Sequence, residues 1–155
     1  MNAEIIGIGS ELLLGQIANT DGQYLSQQLS FLGIDVYWHT VVGDNQGRVL
    51  EALRIASGRS DIIITTGGLG PTMDDLSKET VAEFLGMELV MHEPSLQRIR
   101  SYFQGMNRTM SNNNAKQAMF PEDAIILPND KGTAPGAIME KKDKTYIVLP
   151  GPPFE

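Results

Sequence analysis

The sequence predicts an α/β domain, a largely parallel sheet with helices on both faces. Two observations lead there. Short runs of aliphatic and β-branched residues, at Glu4 to Ile8, Asp35 to Val42 and Asp61 to Thr66, alternate with helical patterns of about a dozen residues. Glycine, Asn or Asp stands at each junction, where one type of element has to give way to the other. The 155 residues suffice for one such domain with a single sizeable core.

Taken in order, Glu4 to Ile8 is an almost continuous apolar run, as a strand buried on both faces requires. A helix follows from Asn19 to Phe31, with Tyr24, Leu25, Leu29 and Leu32 at helical spacing, Asn19 as its cap and Gly33 as its stop. Asp35 to Val42 reads as a second strand, with Trp38 in the core. Asp44 opens a helix that turns Val49, Leu50, Leu53 and Ile55 inward and closes near Gly58. After the strand at Asp61 to Thr66, a helix is expected from about Asp74 to Leu85, ended by Gly86. Glu88 to Met91 suits a short strand, and Pro94 to Phe103 a helix with Leu96, Ile99 and Phe103 inward. The polar, Asn-rich stretch from Gly105 to Asn114 reads as a mobile loop or a binding lid. Ala115 to Phe120 reads as a short helix stopped by Pro121, and Ala124 to Leu127 as a strand. Ala137 to Glu140 and Thr145 to Leu149 form an antiparallel hairpin around a lysine-rich turn. The sequence stops just after that strand, at Pro150-Gly151-Pro152-Pro153-Phe154-Glu155, so a longer natural chain is expected.

Composition narrows the function classes. A formal charge of −7 with 12 Lys and Arg leaves no basic footprint for nucleic acid. Without Cys there is no disulfide framework, thiolate metal site or cysteine nucleophile. No apolar run approaches the ~20 residues that cross a bilayer, and no leader pattern opens the chain, so a cytoplasmic location is expected.

The richest chemistry lies at Thr65-Thr66-Gly67-Gly68-Leu69-Gly70-Pro71-Thr72-Met73-Asp74-Asp75. Here a strand empties into a glycine-dense turn and then into two carboxylates. Glycines let backbone approach a ligand, free amides of Gly67 to Thr72 can cradle a phosphate, and carboxylates suit a divalent cation. The spacing fits neither a P-loop nor a dinucleotide fingerprint. Open sheets bind ligands at the carboxyl ends of their strands. Gly9-Ser10-Glu11 and Gly43-Asp44-Asn45 occupy such ends too, so three polar loops are expected to converge.

These motifs resemble a known family. Gly9-Ser10-Glu11-Leu12-Leu13-Leu14-Gly15, Gly43-Asp44, the glycine turn, Asn129 with Gly132-Thr133-Ala134-Pro135-Gly136, and Leu149-Pro150-Gly151-Pro152-Pro153 follow the order seen in the N-terminal domain of the CinA, or competence/damage-inducible, proteins. That domain lies within the molybdopterin-binding superfamily typified by MoaB and Mog. The resemblance spans the whole chain, 1–155, as a single domain. It implies a three-layer α/β/α sandwich, ligand held by Ser10, the glycine turn, Asn129, Gly132, Thr133, Pro135, Gly151 and Pro152, a homodimer or trimer, and an amidase-like domain further along the full-length protein. It implies two candidate activities. One is Mg²⁺-, Mn²⁺- or Co²⁺-dependent ADP-ribose pyrophosphatase activity; the alternative is non-catalytic binding of molybdopterin or a nucleotide. Mog-like relatives carry Arg-Asp where this chain has Asp74-Asp75. Loss of a phosphate-binding fork and gain of a carboxylate favour the hydrolase.

On that reading Asp75, with Asp74, holds the metal, while Asp44 and Glu11 are candidate bases. Each has a plainer alternative. Asp75 could cap the helix after the glycine turn, Asp44 could cap the helix that follows it, Asp74 could pair with Lys78 at i, i+4, and Glu11 could be a solvated charge. Met73 is either packing or ligand wall, and His39 and His92, lacking metal-ligand spacing, are structural.

Overall fold

The computed structural model describes residues 1–155. Its elements in chain order are β1 (Asn2–Ile8), α1 (Ser10–Leu13), α2 (Thr20–Phe31), β2 (Asp35–Val42), α3 (Gln46–Ser57), β3 (Ile62–Thr66), α4 (Ser77–Leu85), β4 (Leu89–Met91), α5 (Glu93–Gly105), α6 (Asn112–Ala115), β5 (Met119–Pro121), β6 (Ile125–Leu127), β7 (Gly136–Lys141) and β8 (Lys144–Leu149). Six strands make one sheet in the order β2-β1-β3-β8-β7-β6. The first four run parallel; β7 is antiparallel to both its neighbours. The fold is the expected α/β/α sandwich with a C-terminal antiparallel hairpin.

Strand alternation divides the apolar residues between two faces. Ile6, Ile8, Ile63, Tyr146 and Val148 face α3 and α4 in the larger core. Ala3, Ile5 and Ile64 face α2, which lays Leu25 and Leu29 on them. Register aligns Ile5, Ile64 and Ile147 across three strands. Of the apolar residues expected inward on α2, Leu25 and Leu29 reach the sheet, while Tyr24 and Leu32 are 61% and 73% exposed. Ile55 of α3 likewise faces out. A single helix stripe is narrower than every residue at permitted spacing.

Local chemistry sets the helix boundaries. Asn19 caps α2 by accepting from Gly22 N–H, and Gly33 turns the chain out with φ 72°. Asn45, not Asp44, caps α3, accepting from Arg48 N–H at 3.0 Å. His92 caps α5 through Ser95 N–H. Helix α4 begins at Ser77 rather than Asp74. The segment expected as one helix at 115–120 instead ends α6, passes through a 3₁₀ turn at Lys116–Ala118 and becomes β5, which pairs with β4. Likewise α5 runs to Gly105 and α6 starts at Asn112, so the Asn-rich stretch is loop only in its middle. No helix is long and apolar enough to cross a membrane.

One charge breaks the apolar run of β1. Glu4 is 1% exposed and accepts two bonds from Arg59, Nε and Nη2 each at 2.8 Å, plus one from the Thr40 hydroxyl at 2.7 Å. The guanidinium lies over the Trp38 ring, 4.4 Å from its centroid, so Trp38 is half-buried beneath an ion pair rather than in a core. Truncating one partner of such a pair strands the other charge in low dielectric. Arg59→Ala is therefore expected to lower unfolding stability, and Arg59→Lys, which keeps charge but loses the fork, to lower it less. Urea denaturation of the three proteins checks this order.

Candidate functional site

Parallel pairing brings the carboxyl ends of β2, β1, β3 and β8 to one edge, and the backbone extends the sheet there by one further pair on each side. Gly9 N–H donates to Val42 carbonyl at 2.9 Å, and Gly67 N–H to Leu149 carbonyl at 3.0 Å. Beyond these pairs opens a cleft of about 1020 Å³. The loops after β1, β2, β3 and β8 all reach its wall, so the expected convergence is present.

The β3–α4 turn forms one side. Gly67 and Gly68 adopt φ 95° and 69°, and a Cβ on Gly67 would overlap the Ile8 carbonyl oxygen. Ser77 ties the turn down, its hydroxyl donating to Gly67 carbonyl at 2.7 Å and its N–H to Gly68 carbonyl at 3.1 Å. Asp75 does not cap α4. One carboxylate oxygen accepts the N–H of Thr72 at 2.9 Å and also the Thr72 hydroxyl, closing a compact turn before the helix starts. Thus Gly67 N–H is committed to the sheet, Thr72 N–H to Asp75, and Pro71 has none. The N–H groups of Gly68, Leu69 and Gly70 have no partner in the chain. The expected cradle from Gly67 to Thr72 narrows to those three donors.

Behind the turn, Lys116 Nζ donates to the carbonyls of Thr72 and, at 2.9 Å, Asp75. Gln117 Nε2 donates to Leu69 carbonyl at 3.2 Å. Lys78 is 4% exposed and donates to the carbonyls of Lys116 and Gln117 at 3.0 and 3.2 Å, with the Phe120 ring 4.2 Å away. It therefore cannot be the helix-surface partner of Asp74. Burial lowers the Lys78 ammonium from 10.5 to about 8, with nearby Lys116 acting in the same direction and Glu79 opposing.

Charge on the cleft wall has one sign. Glu11, Asp21, Asp44, Asp74, Asp75 and Glu155 line it, and no Lys, Arg or His does. Burial raises the Asp21 carboxyl. Asp44 is oriented by Ser10, whose N–H and hydroxyl both donate to one of its oxygens at 3.0 Å. No three His, Cys, Asp or Glu side chains come together as a metal-holding group.

Of the other expected ligand residues, Thr133, Gly151 and Pro152 line the cleft. Ser10, Asn129, Gly132 and Pro135 do not. Asn129 instead shapes its own turn, accepting from the N–H groups of Lys131 and Gly132 and donating to Ala134 carbonyl. Sequence reasoning missed Gln117, Thr20 and Asp21, and Glu155. Asn19 as a helix cap was the one signal that α2 starts at the cleft.

Comparison with known proteins follows this geometry. Residues 4–155 match the family described as a probable molybdopterin binding domain. A competence-damage inducible protein of Acetivibrio thermocellus is 56% identical over all 155 residues, and one from Thermoanaerobacter sp. is 59% identical. The chain spans 38% of the length of each of these relatives. In structure it resembles CinA from Thermoplasma acidophilum, a protein described as of unknown function, at TM-score 0.90 and 34% identity over 99% of this chain and 90% of that one. It also resembles MoaB of Thermus thermophilus, a molybdopterin biosynthesis enzyme, at TM-score 0.66 and 18% identity over 99% and 82%, which is a likeness of fold. The family match overturns the expectation of an ADP-ribose pyrophosphatase: it points to molybdopterin binding, not to hydrolysis.

Two outcomes test the geometry. Gly67→Ala places a Cβ against backbone that cannot yield and holds Ala at positive φ, so stability is expected to fall by at least ~2 kcal/mol in thermal unfolding. For Lys78, the unfolded chain keeps its proton up to 10.5 while the folded chain releases it near 8. Between those values the unfolded state binds more protons, so this group's contribution to stability rises with pH. Relative to Lys78→Met, the wild type is expected to gain up to about 3 kcal/mol from pH 8 to 10.5. Denaturant midpoints of both proteins across that window check it.

Proposed function

This chain belongs to the probable molybdopterin binding domain family, in its CinA form, and on that premise we propose that the cleft binds a phosphorylated heterocycle of the molybdopterin kind without transforming it. The observation that carries this reading is the row of unpaired N–H groups at Gly68, Leu69 and Gly70, in a cleft large enough for such a ligand. Backbone donors held in a glycine turn are a recurrent means of gripping phosphate oxygens. Pockets of this size enclose most of a ligand with one heterocycle and one phosphate.

The six carboxylates set a condition on that ligand. Two like charges about 6 Å apart at an effective dielectric near 20 repel by about 3 kcal/mol, and no basic side chain on the wall offsets this. A divalent cation does. The chain provides no closed cage for one, but Mg²⁺ is commonly held by one or two carboxylates, waters and the ligand's own phosphate. Asp75 fits that role with the oxygen Thr72 leaves free, and exposed Asp74 stands beside it. The cation supplies charge neutralisation; the turn's amides supply orientation.

Calorimetric titration of a pterin monophosphate in Mg²⁺ and again in EDTA tests both statements. Binding in Mg²⁺ that weakens at least tenfold in EDTA is expected. Equal affinity in both would remove the cation, and no binding in either would remove the ligand class.

A further inference from the structure

Gln117 is buried to 2% exposure, and its Oε1 finds no hydrogen-bond partner in the protein. An unsatisfied buried amide oxygen costs about 1–3 kcal/mol, which an apolar residue of similar volume would avoid. What the amide provides is a single bond, Nε2 to the Leu69 carbonyl. Two lysines hold the segment that carries it, Lys78 through the carbonyls of residues 116 and 117 and Lys116 through those of residues 72 and 75.

The Leu69 carbonyl shares a peptide unit with the Gly70 N–H. No peptide bond here is cis, so the two groups point in opposite directions. A carbonyl fixed on the Gln117 amide therefore fixes the Gly70 N–H on the opposite side of the peptide. Glycine at position 70 makes that orientation labile, because Gly tolerates either sign of φ and permits the peptide to flip. A Cβ there would meet the Asp75 carboxylate, which would have to shift.

We propose that Gln117 is the positioning residue of the phosphate cradle, locking the 69–70 peptide with its N–H toward the ligand. The inference rests on the phosphate-binding reading above. Without the lock the peptide samples both orientations; in the flipped one a carbonyl oxygen replaces a donor and repels the phosphate.

The test uses Gln117→Met, which keeps volume and removes the donor, with Mg²⁺ present throughout. Each protein is titrated with a pterin monophosphate and with the same pterin lacking phosphate, while ¹⁵N–¹H spectra follow Gly68, Leu69 and Gly70. In the wild type, all three amides are expected to move downfield with the phosphorylated ligand only. In the variant, the Gly70 response is expected to vanish and the phosphorylated ligand to bind at least tenfold more weakly, with the phosphate-free ligand unchanged. A purely structural role would lower the melting temperature and leave the ratio of the two affinities where it was, which overturns the proposal. Should the variant not fold, the wild type decides alone: a Gly70 amide unmoved while Gly68 and Leu69 respond overturns the lock and spares the cradle. A wild type that binds no phosphorylated pterin removes the underlying reading instead.

Discussion

The close passage of the chain leaving β3 over the chain leaving β1 is the constraint on which the rest of the site depends. Gly67 sits where any Cβ would strike the Ile8 carbonyl, and Gly151, arriving from β8, would place its own Cβ 3.2 Å from the Gly67 α-carbon. Three parallel strands thus deliver their backbones to one point with no side chain between them. Because they do, Ser77 can reach back to Gly67, and the next three residues, whose amides find no partner in the chain, line the cleft. A larger residue at position 67 would splay the strand ends, and the donors would no longer share one wall.

Much of this was legible in the sequence, because strand and helix periods, Asn19 as a cap and the density of glycine after β3 are local signals. What was not legible is where local signals mislead or have nothing to report. Two carboxylates after a glycine turn suit a helix N-terminus and put the expected start at about Asp74, but Thr72 and Asp75 form a pair of their own. The pair instead closes on itself, the helix waits until Ser77, and Asp74 and Lys78 never share a helical face. Glu4 looks like a flaw in an apolar strand, since its partner Arg59 lies 55 residues further along. Gln117 has no motif at all. Its significance comes from a bond across 48 residues to Leu69 and from the partner its other atom lacks.

The Asp74-Asp75 pair carried the hydrolase expectation, which the family match overturned. Neighbouring carboxylates in sequence need not share their surroundings in the fold. Here Asp75 is drawn back to its own turn while Asp74 stays exposed, and Asp44 is turned toward Ser10. The residues first read as ligands and bases serve in part to shape the loops that carry them.

This division of labour bears on what the cleft can discriminate. Amide donors are neutral and fixed, so they grip an oxyanion at any physiological pH and impose direction but little net attraction. The carboxylates around them impose a field that opposes any bare anion. A bare phosphate dianion meets that field at full strength, whereas a phosphate with a bound divalent cation enters nearly neutral and still presents oxygens to the turn. Selection on the proposed reading therefore acts on the charge state of the ligand before its shape. Lysines on the wall would abolish that filter. The nearest ones, Lys78 and Lys116, are kept behind the turn, bonded to its own carbonyls and those of the segment that braces it. Their positive charge stiffens the cradle without entering it.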